Sequence, residues 1–247
     1  ASGMSAVFAS LMSYLKSGDE VIASRALFGS CYHILDQILP RFGIKTHLID
    51  GTNISDWQQY VTDKTKCFFF ETPSNPNMEI IDIKSVSEIA HKNNSIVIVD
   101  NILASPILQK PMDLGADIVV YSGTKHIDGQ GRSLGGAILS SRQHHEEFLK
   151  PFIRHTGPTL SPFNAWLQLK GLETLKLRMQ HHCFNAKKVA TYLSNHPQVQ
   201  RIIYPGLDNH PQYELAKKQM TEGGSIVTFD IKKNKAFEFM NKLNIFD

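Results

Sequence analysis

The stretch DIVVYSGTKHIDGQG (117–131) decides the architecture. The unbroken apolar run from Ile118 to Tyr121 predicts a strand buried on both faces, as in a parallel sheet covered by helices. Ser122, Thr124 and Lys125 follow within four residues of Tyr121, and then a glycine-rich loop. A lysine set straight after a buried strand must either escape to solvent or be kept for chemistry, because an unpaired ammonium is almost never buried.

Upstream, the same alternation repeats. Met4, Val7, Phe8, Leu11, Met12 and Leu15 fall on one helical face, and Gly18 ends that helix. EVIAS (20–24), IKTHLI (44–49), KCFFF (66–70) and SIVIVD (95–100) read as strands. Helices are expected over 29–39, 55–61 and 84–92. Strand alternating with helix means an α/β domain with right-handed crossovers. After a strand near 134–140 the rhythm changes. A long helical pattern covers 161–195, mildly broken at Gly171, and is followed by strands at 199–204 and 225–231 and helices near 211–220 and from 236. This predicts a large domain over 1–180 and the beginning of a smaller α/β domain over 181–247.

The 247 residues are 42% hydrophobic and 20% charged, with a formal net charge of +3. That excess is too small and too scattered to argue for nucleic acid. No apolar run is long enough for a membrane span, and no leader pattern precedes the first helix. Cys31, Cys67 and Cys183 are odd in number and widely spaced, which reads as free thiols in a reducing cytoplasm. The opening Ala-Ser-Gly and the stop at Asp247 are expected to mark an internal segment of a longer protein.

In open parallel sheets, ligands bind beyond the carboxyl ends of the strands. Three strands here end in polar residues: one leads into Glu71, Thr72, Pro73, Ser74 and Asn75, one ends at Asp100, and one at Ser122, Gly123, Thr124 and Lys125. Ser2-Gly3-Met4 opens a helix whose leading N–H groups suit a phosphate. A phosphate cradle, a lone acid, an amide and a lysine are what an aromatic cofactor bearing a phosphate and an aldehyde would use. The lysine amine would form a Schiff base and the acid would pair with a pyridinium nitrogen. Lys125 is therefore the predicted Schiff-base lysine of an enzyme using pyridoxal 5′-phosphate (PLP). Taken alone it would read as a solvated loop lysine; the strand before it and Asp100 upstream reverse that reading.

SGM (2–4), ETPSNP (71–76), IVDN (98–101), YSGTKHIDGQGRSLGG (121–136) and SPFNAWLQLKGLETLKLRM (161–179) resemble the Cys/Met-metabolism PLP enzymes. That family includes cystathionine γ-synthases and lyases, methionine γ-lyases and acylhomoserine sulfhydrylases. The resemblance implies the aspartate-aminotransferase-like fold (type I). It also implies that Gly3 and Met4 bind the cofactor phosphate with Ser122 and Thr124, that Asp100 pairs with the ring nitrogen, and that Asn75 bonds the ring hydroxyl. Phe28 stands where most relatives carry a tyrosine that stacks on the ring and moves protons. RALFGS (25–30) with KHIDGQGR (125–132) is most similar to the O-succinylhomoserine sulfhydrylases. The implied reaction is γ-replacement on an O-acylhomoserine with sulfide or a thiol, giving homocysteine or cystathionine. A lyase-type elimination is the alternative. Cytoplasmic homodimers or homotetramers are implied, with neither nucleic acid nor membrane as partner. The family's arginine for the substrate carboxylate and its Tyr/Arg pair for the neighbouring phosphate have no counterpart in these 247 residues, so the isolated chain is expected to bind PLP without useful turnover.

Three other patterns carry less. GQGRSLGG (129–136) precedes a strand rather than leading from one into a helix, so the dinucleotide fingerprint fails, and with it a nicotinamide-dependent dehydrogenase. His144-His145 and His181-His182 lack the i, i+4 spacing of metal ligands and are expected on the solvated surface. Cys31 is expected to be a plain buried thiol.

Overall fold

In the computed structural model, which describes residues 1–232 and 235–245, the first 140 residues build one six-stranded sheet. Its order is β2 (Lys45–Ile49), β1 (Glu20–Ser24), β3 (Thr65–Glu71), β4 (Ile96–Asp100), β5 (Ile118–Ser122) and β6 (Gly136–Ser140). Every pair is parallel except β5–β6, which is antiparallel. The strands are Val-, Ile- and Phe-rich because both faces are covered. Alternate side chains divide into two cores: Val21, Ala23, Phe69, Ile98, Ile118 and Val120 meet α1 (Gly3–Met12), while Ile22, Phe68, Phe70, Val97, Val99 and Val119 meet Trp57 and α4 (Ile83–Lys92).

The intervening helices are α2 (Gly29–His33), α3 (Ile54–Gln59) and the short α5 (Ser105–Leu108). The predicted helix over 29–39 is continuous, but its pitch changes: α2 runs into a widened turn at Ile34–Ile38 and a tightened one at Leu39–Phe42, closed by Gly43 at φ 73°. The sequence reading assigned no element to residues 141–160. Helical turns occupy much of that stretch, among them α6 (Arg142–His144) and α7 (Lys150–Thr156). His144 departs from its expected solvated place. It is half-buried, with its ring 5.7 Å from that of Tyr14 and 5.0 Å from that of Phe148.

The long helix α8 (Pro162–Ser194) is unbroken, its N-cap Ser161 accepting from Asn164 N–H. Gly171 lies mid-helix for a packing reason: a Cβ there would sit 2.1 Å from the Ile127 carbonyl oxygen. Beyond α8 come β7 (Val199–Ile203), α9 (Tyr213–Gln219), β8 (Thr228–Ile231) and α10 (Ala236–Met240); β7 and β8 pair antiparallel as a separate two-stranded sheet. The division expected at 180/181 thus falls inside a continuous helix. Of the segment 181–247, Lys233, Asn234, Phe246 and Asp247 lie outside the described residues. No helix among the described residues is long and apolar enough to cross a membrane.

Candidate functional site

The parallel register brings three polar strand ends together. Glu71 and Asp100 are direct partners across β3 and β4, and Asp100 pairs with Val120, so Ser122 ends β5 two residues further out. Glu71 and Asp100 are only 2% and 1% exposed. Behind them a buried amide network holds the strand ends. Gln109 Nε2 donates to the Thr72 carbonyl and to Asn101 Oδ1, both at 2.8 Å, and Asn101 Nδ2 donates to Tyr121 Oη at 2.8 Å.

The N-terminus of α1 abuts this edge. Ser2 caps the helix by accepting from Ser5 N–H (3.1 Å), and the first intrahelical bond runs from Ala6 N–H to the Ser2 carbonyl (3.0 Å). The N–H groups of Gly3 and Met4 precede that bond and are among the helix's unpaired leading donors. Gly3 lies so close to Ser122 that a Cβ would stand 2.6 Å from the Ser122 Cβ and 2.8 Å from its Oγ. Only glycine leaves the serine hydroxyl and the helix N-terminus side by side.

The chain turns sharply after β5. Lys125 has φ −90° and ψ −117°, outside the helical basin, within an otherwise helical turn at Gly123–Ile127. Its side chain is exposed, and among the described residues its amine has neither a hydrogen-bond nor an ion-pair partner. Thr124 Oγ1 accepts from Gly135 N–H at 3.2 Å, which joins the lysine turn to the glycine loop. That loop is fixed by the buried Asp128, which accepts from Arg132 N–H (2.7 Å), Gln130 N–H (3.2 Å) and Ser133 Oγ (3.3 Å).

Of the other expected site residues, Phe28 is 43% exposed at the start of α2. Asn75 is exposed in the tight 74–79 loop, where Ser74 N–H donates to the Glu79 carbonyl (3.0 Å) and Glu79 N–H donates to Ser74 Oγ (3.1 Å). Gly3, Met4, Ser122, Thr124 and Lys125 thus belong to one edge, with Asp100 at the adjoining strand end. Phe28 and Asn75 join that edge through a residue the sequence reading left without a role, Glu71. Its Oε2 accepts the Phe28 N–H at 2.7 Å, and the Asn75 backbone N–H also faces its carboxyl.

Burial pushes Asp100 up to about 7; the Ile102 N–H (3.2 Å) and the Cys31 thiol (3.9 Å) that face it act in the opposite direction. Burial, reinforced by the negative charge of Asp100, pushes Glu71 further, to about 9. Cys31 is buried as expected, but it faces Asp100 rather than apolar neighbours alone, and burial raises its thiol well out of the reactive range. His126, beside the lysine, is pushed down to about 4 by burial, with His182 and Arg178 adding to the effect, and its Nε2 lies 3.2 Å from Ser225 Oγ. Arg178 of α8 also escaped the sequence reading. It donates to the carbonyls of His126 (2.7 Å), Ile127 (3.3 Å) and Gly171 (2.8 Å), clamping the lysine turn to the helix. Glu71 could have been singled out by its place at a strand end. Nothing local to Arg178 points to carbonyls more than fifty residues away.

The donor set fits a phosphorylated pyridine aldehyde. A cradle that a single Cβ would fill lies beside a serine hydroxyl, a buried acid can hold a proton-bearing ring nitrogen, and an exposed primary amine follows.

Comparison with known proteins agrees. The model of the family described as Cys/Met metabolism PLP-dependent enzyme matches residues 1–247. The O-succinylhomoserine sulfhydrylase of Mycobacterium tuberculosis is 49% identical over 253 aligned residues, covering 100% of this chain and 62% of that protein. The L-methionine gamma-lyase of Fusobacterium nucleatum subsp. polymorphum is 40% identical, covering 94% and 59%. Among solved structures, cystathionine gamma-lyase from Lactobacillus plantarum complexed with L-serine superposes with a TM-score of 0.92 at 34% identity, covering 94% of this chain and 61% of that one. The chain thus spans about three fifths of the length of the relatives it matches.

Proposed function

The chain belongs to the Cys/Met metabolism PLP-dependent enzymes, whose cofactor is pyridoxal 5′-phosphate, and on that premise we propose that it serves γ-replacement on an O-acylhomoserine, O-succinylhomoserine first, with sulfide or a thiol as the incoming group. The products are homocysteine or cystathionine. The observation that carries this is the exposed Lys125 amine at the strand edge that also holds the buried Asp100 and the Gly3–Ser122 cradle. The choice of substrate rests on similarity to the sulfhydrylase and on Phe28.

When bound, pyridoxal phosphate supplies an electron sink for a carbanion beside the substrate amine. Around it, the Gly3 and Met4 N–H groups and the Ser122 and Thr124 hydroxyls hold the phosphate oxygens. The Asp100 carboxylate accepts the ring N–H and keeps that nitrogen protonated. Asn75 donates to the ring hydroxyl oxygen. Phe28 stacks on the ring but has no hydroxyl with which to move a proton. Lys125 Nζ would be the group that holds the cofactor's aldehyde carbon and, as a free amine beside the substrate, would take the proton from Cα and move protons at Cβ. We further read residues 1–180 as the cofactor domain and 181–247 as the start of a smaller one. The buried free thiols Cys31, Cys67 and Cys183 fit a reducing cytoplasm, and a homodimer or homotetramer is the assembly we infer.

The test is absorption of the chain with added PLP, then borohydride reduction and peptide mapping, with Lys125→Ala as control. A reduced adduct on Lys125 that the variant lacks supports the reading. An adduct on another lysine, or none from a chain that circular dichroism shows to be folded, overturns it. Similarity to L-methionine gamma-lyase favours γ-elimination as a second reading. In a protein extended to the length of its relatives, O-succinylhomoserine with and without sulfide separates the two, by homocysteine against 2-oxobutyrate.

A further inference from the structure

Two buried carboxyls lie side by side at the carboxyl ends of β3 and β4, and the reading above uses only one of them. Among the described residues neither Glu71 nor Asp100 is ion-paired with a lysine, arginine or histidine; what faces them is each other, the Cys31 thiol and backbone N–H groups. Two adjacent anions without a counter-charge are costly in a buried site, so the pair keeps a proton at neutral pH. Glu71 is the better holder of it, since burial and the Asp100 charge both oppose its ionisation. Its carboxyl is nonetheless engaged as an acceptor. Oε2 receives the Phe28 N–H at 2.7 Å, from a segment 43 residues away in sequence, and the Asn75 backbone N–H faces the same carboxyl. Phe28 and Asn75 are the residue assigned to stack on the cofactor ring and the residue assigned to its hydroxyl.

We propose that Glu71 is a positioning residue for the cofactor ring: as a neutral carboxyl it ties the backbone of Phe28 and Asn75 to the end of β3 and leaves Asp100 the one negative charge for the ring nitrogen. This rests on the PLP reading of Asp100, Phe28 and Asn75. A neutral tether has a chemical consequence. Glutamine, isosteric and uncharged, still offers a carbonyl oxygen to both N–H groups; alanine offers nothing; aspartate is one methylene too short to reach.

Glu71→Gln, Glu71→Ala and Glu71→Asp are compared with the wild-type chain by three readouts: amide hydrogen exchange in the peptides containing Phe28 and Asn75 without cofactor, PLP affinity by absorbance titration, and visible circular dichroism of bound PLP. Glu71→Gln is expected to keep exchange and affinity within about threefold of wild type. Glu71→Ala and Glu71→Asp are expected to exchange about tenfold faster at Phe28, bind PLP about tenfold more weakly and lose most of the visible dichroic band. If Glu71→Ala fails to fold, Glu71→Asp carries the same comparison. Wild-type behaviour of the alanine or aspartate variant overturns the proposal. So does a glutamine variant as impaired as alanine, since the charge would then be what matters. A wild-type chain giving no adduct at Lys125 would instead overturn the cofactor reading, with the exchange pattern still deciding the tether.

Discussion

Asp100 and Glu71 make the stability of the cofactor-free chain depend on pH in an unusual direction. Both carboxyls are raised in the folded chain, to about 7 and about 9, so between roughly pH 4 and pH 9 the folded state binds more protons than the unfolded one. Stability from these groups is present below their ordinary pKa values and is lost as pH rises, Asp100 by about pH 7 and Glu71 by about pH 9. The limiting slope is about 1.4 kcal/mol per pH unit for each proton released. Urea denaturation of the cofactor-free chain at pH 5.5 and pH 8.5 (about 3 units apart) should show the wild type weaker at the higher value and Glu71→Gln much flatter. Equal slopes for the two would mean that Glu71 is not a source of the pH dependence. Asp100 was legible in the sequence because an acid ending an apolar strand has little structural reason to be there. Glu71 has the same signature, but its hydrogen-bond donor is a backbone N–H 43 residues away, which no side-chain pattern announces.

Between elements, the decisive contact is α8 against the turn that carries Lys125. Arg178 spreads three hydrogen bonds over the carbonyls of His126, Ile127 and Gly171, and charge-assisted bonds of this kind contribute about 1.5–3 kcal/mol each when fully formed. Arg178→Ala should lower chain stability by about 2–3 kcal/mol in urea and slow borohydride-trappable capture of PLP at Lys125. Arg178→Lys should recover little, since a point ammonium cannot reach three acceptors in a fork. Stability unchanged in the alanine variant would sink this account. Gly171→Ala sets two effects against each other. Alanine favours a helix over glycine by about 0.5–1 kcal/mol, yet its Cβ would meet the Ile127 carbonyl at 2.1 Å, backbone that cannot swing aside. Overpacking of about 1–3 kcal/mol wins, and a lowered Tm is expected. The strands were readable because Val/Ile/Phe runs have little other use. The mild break read at Gly171 was instead a close approach, a property of the element packed against the helix. The turns between 141 and 160 went unread because their sequence is rich in charged residues and histidine and shows no clear apolar period.

Across the whole molecule, the segment after α8 is joined to the sheet domain by shared core. Ile80, Ala104 and Leu108 from the sheet side pack with Leu175, Met179 and Cys183 of α8 and with Ala216 and Met220 from the α9 region in one buried cluster. Polar bonds cross the same seam: His210 Nε2 meets the Met78 carbonyl at 3.1 Å, Thr228 Oγ1 donates to Pro76 (2.7 Å) and Gln219 Nε2 to Ile81 (3.0 Å). All three fall on residues 76–81, directly after Asn75, so the later segment also braces the loop expected to face the cofactor. A seam that is both apolar and hydrogen-bonded couples the two parts, and unfolding either exposes the other's core. Urea unfolding of the 247-residue chain should therefore be a single transition. Far-UV dichroism should follow the same curve as fluorescence from the buried Trp57 of α3, packed against the sheet, and the exposed Trp166 on α8. Two separated transitions would show that the halves fold alone. A His210→Ala variant is expected to shift the midpoint down without splitting the curve, because His210 is one of several bonds across the seam while the apolar cluster beneath it stays intact.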